Sequence, residues 1–115
     1  MSEETALPRM EANVRLYHDA TGQAELLGFA ELVIASAFVI KGIRILLAKP
    51  REDRPGGPFI SFPSRRGNGA SQDRYFEVAH PITASAREAA RDLVLKTYEE
   101  EAGKARGREE SRNAP

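Results

Sequence analysis

Five arginines in the second half of the chain are the residues whose type and spacing best support a chemical role. Arg65 and Arg66 stand beside a stretch rich in Gly, Asn and Ser, and Arg74 follows that stretch. Arg87 and Arg91 are four residues apart, so on a helix they would lie side by side. Guanidinium groups next to small, flexible backbone are suited to contacting phosphates. This set of arginines predicts an anionic partner. The alternative interpretation is that the loop and the helix face are simply exposed to solvent.

The distribution of charge along the chain favours the same interpretation. The chain as a whole is neutral, with 17 basic and 17 acidic side chains. Residues 1–40 carry a net charge of −4, residues 41–96 of +5 and residues 97–115 of −1. A segment with excess positive charge favours an anionic partner, although folding can bring distant charges together.

The residue types that usually support catalysis or metal binding form no comparable pattern. The chain has no cysteine, which excludes disulfides, thiol nucleophiles and cysteine–metal sites. His18 and His80 lie far apart, and neither has a metal-ligand partner at helical or hairpin spacing. Asp73 and Glu77 are interpreted as solvated strand charges rather than a catalytic pair. We therefore expect no enzyme activity, no cofactor, no metal and no small-molecule substrate.

The segments that must position the arginines have the features of consecutive strands. Apolar, β-branched runs separated by turn residues predict strands at 14–18, 25–35, 37–48, 59–62 and 75–79. Asp19–Gly22 has turn chemistry, and Gly42 would suit a β-bulge or a close backbone approach. Because short connections join consecutive strands, we expect an antiparallel sheet of four to five strands.

One C-terminal helix is predicted after the strands. Ser85 and Glu88 have the spacing of a capping box, which marks a helix start. From Ala86 to Tyr98, apolar and small side chains recur at helical spacing and form one stripe. Gly103 is the predicted stop. Packing of this helix on one face of the sheet gives an α+β fold.

The two ends of the chain are predicted to be disordered tails. Residues 1–12 lack sustained periodicity, and residues 101–115 are polar and charged, so neither segment buries enough surface to offset its ordering entropy. The folded domain is predicted at 13–100. No apolar run reaches the roughly 18–20 residues of a membrane helix. The acidic start lacks the features of a secretory signal, and we expect a cytoplasmic protein without a membrane partner.

Short sequence pieces in a fixed order resemble a known family. They are Phe38–Ile40, Ile43-Arg44, Pro63–Arg66, Val78–Ile82, Arg87 and Tyr98. In this order and spacing they resemble the stage V sporulation protein G family (SpoVG, also called septation protein). Val14–Leu16 is similar to the opening strand of that family. The resemblance implies a small, dimeric α+β domain that binds DNA and RNA. It further implies regulation of gene expression, with effects on septation and sporulation in some bacteria.

The resemblance also assigns roles to individual residues. It maps the family's basic hairpin residues onto Arg65 and Arg66, and its helix arginine onto Arg87. This chain has Phe76 where the family usually has a basic residue, and Glu77 where the family has Asp.

The helix departs from the family as well, because Ala89 stands at its second basic position. Arg74 and Arg91 are the substitutes, each shifted by two residues. The loop at 49–58 is longer than in the family.

The sequence thus predicts a homodimeric, non-enzymatic regulator that binds DNA or RNA. Phosphate contacts are expected from the loop arginines, and groove or base contacts from the helix start, at Thr83, Ser85 and Arg87. Strands 25–35 and 37–48 are apolar on both faces at several positions, so a second copy is expected to cover what the helix leaves open. The alternative is a protein-interaction module in cell division that docks partners along a sheet edge. A small hydrolase is the third possibility.

Overall fold

The computed structural model describes residues 6–22 and 24–113, and its main sheet is a four-stranded antiparallel meander. The strands are β1 (Met10–Asp19), β2 (Glu25–Ile34), β3 (Phe38–Ala48) and β4 (Gly57–Ser61), in the spatial order β1-β2-β3-β4. Two short strands, β5 (Ser64–Arg66) and β6 (Tyr75–Glu77), form a separate antiparallel hairpin. The helix α1 (Ala84–Asn113) follows. The expected α+β class and antiparallel sheet are confirmed.

Local turn interactions and turn backbone geometry determine the two connections that join the first three strands. The Asp19 carboxylate accepts hydrogen bonds from the Thr21 N–H at 2.9 Å and from the Thr21 hydroxyl at 2.7 Å, which lowers the pKa of Asp19. Between β2 and β3, Ala35 and Ser36 both have a φ of 54°. Two central residues with positive φ define a tight hairpin turn whose twist matches the strands, although Asn and Gly suit it better.

A bulge in β3 keeps its apolar side chains on the side of the sheet that faces α1, called the inner face below. Leu32 pairs with Ile40 and Ala30 pairs with Ile43, so two residues of β3 stand opposite one of β2. The extra residue shifts the alternation by one position, and Ile40 and Ile43 therefore share a face. Gly42, at a φ of 82°, supplies the backbone conformation for this bulge, as its position predicted.

The hydrophobic core lies between the inner face and α1. Its members are buried side chains from two strands, from the residue after β4 and from the helix: Ala30, Leu32, Ile43, Ile45, Phe62, Ala90 and Val94. The helix runs mainly along β1, where half-buried apolar side chains pack against the same cluster. This arrangement anchors the first turns of α1 beside the end of β4, where the hairpin β5–β6 begins.

The two ends of α1 differ from the sequence predictions. The Thr83 hydroxyl accepts a hydrogen bond from the Ala86 N–H at 3.1 Å, so Thr83 rather than Ser85 caps the helix. The predicted stop at Gly103 is wrong, because α1 continues to Asn113 through most of the segment assigned to a tail. Ala102 is buried, and the surrounding Glu, Lys, Ala and Arg residues are strong helix formers.

The N-terminal boundary also differs, because β1 begins at Met10 rather than after residue 12. Residues 1–5, 114 and 115, which belong to the predicted tails, lie outside the described residues.

Candidate nucleic-acid interface

The hairpin β5–β6 brings the predicted basic loop residues together. Arg65 pairs with Phe76 and Arg66 pairs with Tyr75 across the two strands. Backbone hydrogen bonds extend this pairing in both directions, from the Val78 N–H to the Pro63 carbonyl at 2.8 Å and from the Gly67 N–H to the Arg74 carbonyl at 2.9 Å. The register is therefore continuous beyond the two strands.

The alternation of side chains sorts the hairpin into two faces. Residues opposite each other share a face, and residues two apart on one strand share a face. Arg65, Arg74, Phe76 and Val78 therefore lie together, and we call this set the Phe76 face. The opposite set, called the Tyr75 face, is Ser64, Arg66, Tyr75 and Glu77.

The two faces differ in how their charges are partnered. On the Tyr75 face, the Arg66 Nε donates to the Gln72 carbonyl at 2.5 Å, which fixes this side chain against the loop. Glu77 on the same face forms an ion pair with Arg87 of α1. Among the described residues, Arg65 and Arg74 of the Phe76 face have no ion-pair partner. Arg66 has no ion-pair partner among these residues either, so two of the three unpaired hairpin arginines lie on the Phe76 face.

Exposed rings stand beside these arginines. Phe76 is 44% exposed and Tyr75 is 70% exposed, although both are large hydrophobic side chains. Each ring lies directly across the hairpin from an arginine. In the sequence, Phe76 stood out only as a departure from the family, and neither ring was assigned a role. The available signal was the adjacent pair of aromatic residues between charged ones in Arg-Tyr-Phe-Glu-Val at 74–78.

An ion pair connects the hairpin to the helix start. Arg87 Nη2 lies 2.9 Å from Glu77 Oε1, and Arg87 Nη1 lies 3.4 Å from Glu77 Oε2. The guanidinium also lies over the Phe62 ring, 5.3 Å from its centroid. The hydrogen bond from Arg87 lowers the pKa of Glu77, and Glu77 in turn raises the pKa of Arg87. Arg87 therefore joins the hairpin to α1 and to the edge of the core.

The remaining predicted site residues lie on the first turns of α1. The Thr83 hydroxyl is used by the helix cap, and the Ser85 hydroxyl lies 3.5 Å from it. Arg91, one turn beyond Arg87, lies 3.2 Å from the carboxylate of its neighbour Asp92. The structure thus gathers Arg65, Arg66 and Arg74 in the hairpin, and it places Thr83, Ser85 and Arg91 in local contacts.

Metal-binding clusters and membrane-spanning helices are absent from the part of the chain that the structure describes. Residues 6–22 and 24–113 contain no group of three or more His, Asp or Glu side chains arranged to hold a metal ion. No helix in these residues is both long and apolar enough to cross a membrane.

The fold and the hairpin define a class of protein: a small α+β domain with a meander sheet, a covering C-terminal helix and a basic hairpin between them. The family model SpoVG matches residues 10–100. A relative from Archaeoglobus fulgidus is 33% identical over 89 residues, which cover 76% of this chain and 92% of the relative. A relative from Acholeplasma laidlawii is 30% identical, and the match covers 83% of that relative. Both relatives are named, provisionally, septation protein SpoVG. The chain belongs to the SpoVG family.

Proposed function

We propose that this protein binds nucleic acid through the hairpin β5–β6 and thereby regulates gene expression in the cytoplasm, without enzyme activity. The observation that carries the proposal is the pair of arginines on the Phe76 face. Arg65 and Arg74 flank one exposed ring and have no acidic partner among the described residues. Two unneutralised guanidinium groups on one exposed surface favour a phosphate backbone as the ligand.

Neighbouring residues support nucleic-acid binding less strongly than Arg65 and Arg74 do. The Arg66 side chain donates its Nε to Gln72 and keeps its two terminal nitrogens for a phosphate contact. Ser85 and Arg91 are exposed on the first turns of α1 and are secondary contacts in the proposal. Arg87 has a different part: because it pairs with Glu77, we assign it to positioning the hairpin rather than to base contacts.

We propose further that two copies associate, as the family resemblance implies. The face of the sheet opposite α1 carries several apolar side chains that α1 cannot cover: Phe29, Val33, Val39 and Phe59. A dimer would present two hairpins to one nucleic acid and raise the affinity through effective concentration. Light scattering at micromolar concentration measures this, and a monomer at that concentration would contradict it.

A salt-dependent binding titration tests the proposed function. The double variant Arg65→Ala/Arg74→Ala is compared with the parent on random DNA and RNA pools at several salt concentrations. With fewer phosphate contacts, binding releases fewer counterions, so affinity should fall on all sequences. The salt slope should decrease by roughly 1 for each phosphate contact that the variant no longer makes.

A matched control removes the same charge elsewhere. Arg51→Ala/Arg54→Ala lies in the loop between β3 and β4 and should bind like the parent, and circular dichroism checks folding of both variants. If the hairpin variant keeps the parent's affinity and salt slope, the arginines are only a solvated surface. The protein-interaction hypothesis would then be the better one.

A further inference from the structure

We infer that the preferred ligand is single-stranded nucleic acid and that Phe76 is the surface on which one of its bases stacks. This inference rests on the proposed function and specifies its substrate class. It starts from the Phe76 side chain, whose exposure is not accounted for by the folding of the hairpin.

The exposure of Phe76 brings no benefit to the folded chain. The ring is 44% exposed on a strand of three residues and is absent from the core between the sheet and α1. A large aromatic side chain normally stabilises a protein by leaving water. Phe76 shares its face with Val78, which is 58% exposed, and with two arginines, and an exposed apolar patch beside charged groups favours a contact with a ligand.

The neighbours of Phe76 determine the chemistry of that ligand. Arg65 lies across the hairpin from Phe76, and Arg74 lies two residues before it on the same face. A flat apolar ring between two free guanidinium groups complements a nucleotide, whose base has a π-face and whose phosphates are anionic. An apolar protein surface would leave both arginines without partners, so the charge pattern favours the nucleotide.

Stacking on Phe76 requires a base whose face is accessible. In a duplex both faces of each base are covered by neighbouring bases, whereas bases of a single strand can turn out and stack on aromatic side chains. A two-stranded ribbon can also enter the major groove of duplex DNA, but there it reads base edges through polar side chains. The exposed ring therefore favours a single strand over the groove of a duplex.

The Tyr75 face provides an internal control for this argument. Tyr75 is more exposed than Phe76, yet its face contains the carboxylate of Glu77, and its cross-strand neighbour Arg66 is held by the loop carbonyl of Gln72. The two rings point to opposite sides of the ribbon, so a strand bound along the Phe76 face does not stack on Tyr75. We therefore assign base stacking to Phe76 and not to Tyr75.

Fluorescence anisotropy with labelled oligonucleotides tests the inference. The probes are one mixed-sequence, non-self-complementary 20-mer as single-stranded DNA, as RNA and as the matching DNA duplex. The parent should bind the single strands at least about tenfold more tightly than the duplex. Phe76→Leu should weaken single-strand binding by about 5- to 150-fold, the fold-change that corresponds to the loss of one stacked base. Its salt slope should stay unchanged because every phosphate contact is retained.

The matched variant Tyr75→Leu removes the other ring and should bind like the parent. The chain has no tryptophan, so Phe76→Trp introduces a single reporter that preserves a stacking surface. Phe76→Trp should bind single strands at least as tightly as the parent, and its fluorescence should be quenched on binding. Tyr75→Trp should show no such quenching.

The outcomes separate this inference from the proposed function. If neither single strands nor duplex bind, the proposed function is wrong. If duplex binds as tightly as single strands, or if Phe76→Leu weakens both equally, the function stands and the single-strand inference is overturned. Equal losses of affinity from Phe76→Leu and Tyr75→Leu would overturn the assignment of stacking to one face.

Discussion

The sheet with its helix and the hairpin β5–β6 are stabilised in contrasting ways. The first region buries Leu32, Ile43, Ile45 and Val94 almost completely between the inner face and α1. In the hairpin, every residue of β5 and β6 is exposed. Its links to the rest of the molecule include backbone hydrogen bonds next to the strands and the contacts of the Glu77 carboxylate with Arg87 and His80.

This contrast separates the scaffold from the proposed binding element. Buried apolar surface supplies most of the stability of a small domain, and elements that bury little apolar surface open at lower free-energy cost. The hairpin can therefore expose rings and free arginines, which would be unfavourable in the core, because it contributes little to global stability. The first turns of α1 belong to both regions, since Val94 packs in the core while Arg87 reaches the hairpin.

The largest expected effect comes from the same substitution made in the core and in the exposed segment that follows the hairpin. Ile43→Ala removes a side chain that is fully buried, and it should lower the free energy of unfolding by about 2–5 kcal/mol. Ile82→Ala, between the hairpin and α1, changes a side chain that is 90% exposed and should stay within about 0.5 kcal/mol of the parent. Urea unfolding followed by circular dichroism measures both. Comparable destabilisation by the two variants would show that the segment joining the hairpin to α1 is part of the cooperative core.

A smaller effect, of opposite sign, is expected at the turn between β2 and β3. Ala35 and Ser36 hold a positive φ there, which costs about 1–2 kcal/mol for a residue with a side chain. The double substitution Ala35→Asn/Ser36→Gly supplies the residues that this turn prefers and should raise the free energy of unfolding by about 1–2 kcal/mol. Binding to nucleic acid should not change, because the turn is outside the hairpin. A destabilised double variant would contradict the assignment of strain to this turn.

The sequence predicted the sheet well because its signals are local. Apolar, β-branched runs located β2 and β3 close to their observed bounds, and the run before the turn at Asp19–Gly22 located the second half of β1. Gly42 also indicated the bulge, since a glycine weakens the interior of an apolar strand and is typical of a bulge or a close backbone approach. These features depend on residues near each other in the chain.

The helix boundaries and the ion pair were missed because they depend on competition or on distant contacts. Thr83 and Ser85 are both good caps, and which of them starts the helix is decided by where the chain leaves the hairpin. Gly103 stops a helix only when the chain needs a left-handed residue there, and here α1 continues. The pairing of Glu77 with Arg87 joins a strand to a helix, and no local pattern indicates it.

The candidate site was likewise predictable from the sequence only in part. Clustering of Arg65, Arg66 and Arg74 followed from expecting strands 59–62 and 75–79 to pair, and the structure brings them together through the neighbouring pair β5–β6. The sorting of these arginines between two faces required the register, which the sequence leaves open. A shift by one residue would have placed Arg66 instead of Arg65 on the face that Phe76 shares with Arg74.

The smallest expected effect is a pH-dependent loosening of the hairpin alone. Because Arg87 lowers the pKa of Glu77 in the folded chain, the ionised carboxylate stabilises the hairpin at pH values above about 4.3, where an unperturbed Glu is already ionised. That contribution is lost as the pH falls through the lowered pKa. Both partners are partly exposed, so water screens the pair and its contribution to stability should be small.

Hydrogen exchange resolved by residue measures this loosening. Protection factors of the Val78 and Gly67 amides, which bond to Pro63 and Arg74, should fall by no more than about fivefold between pH 5 and pH 3, whereas amides of β3 keep theirs. Glu77→Gln should show the lowered protection already at pH 5 and no further fall, because the amide cannot ionise. Asp73→Asn removes the other carboxylate of the hairpin and should behave like the parent. If Glu77→Gln lowers protection in β3 as much as at Val78, the hairpin and the sheet open as one unit, and the proposed division between scaffold and binding element is wrong.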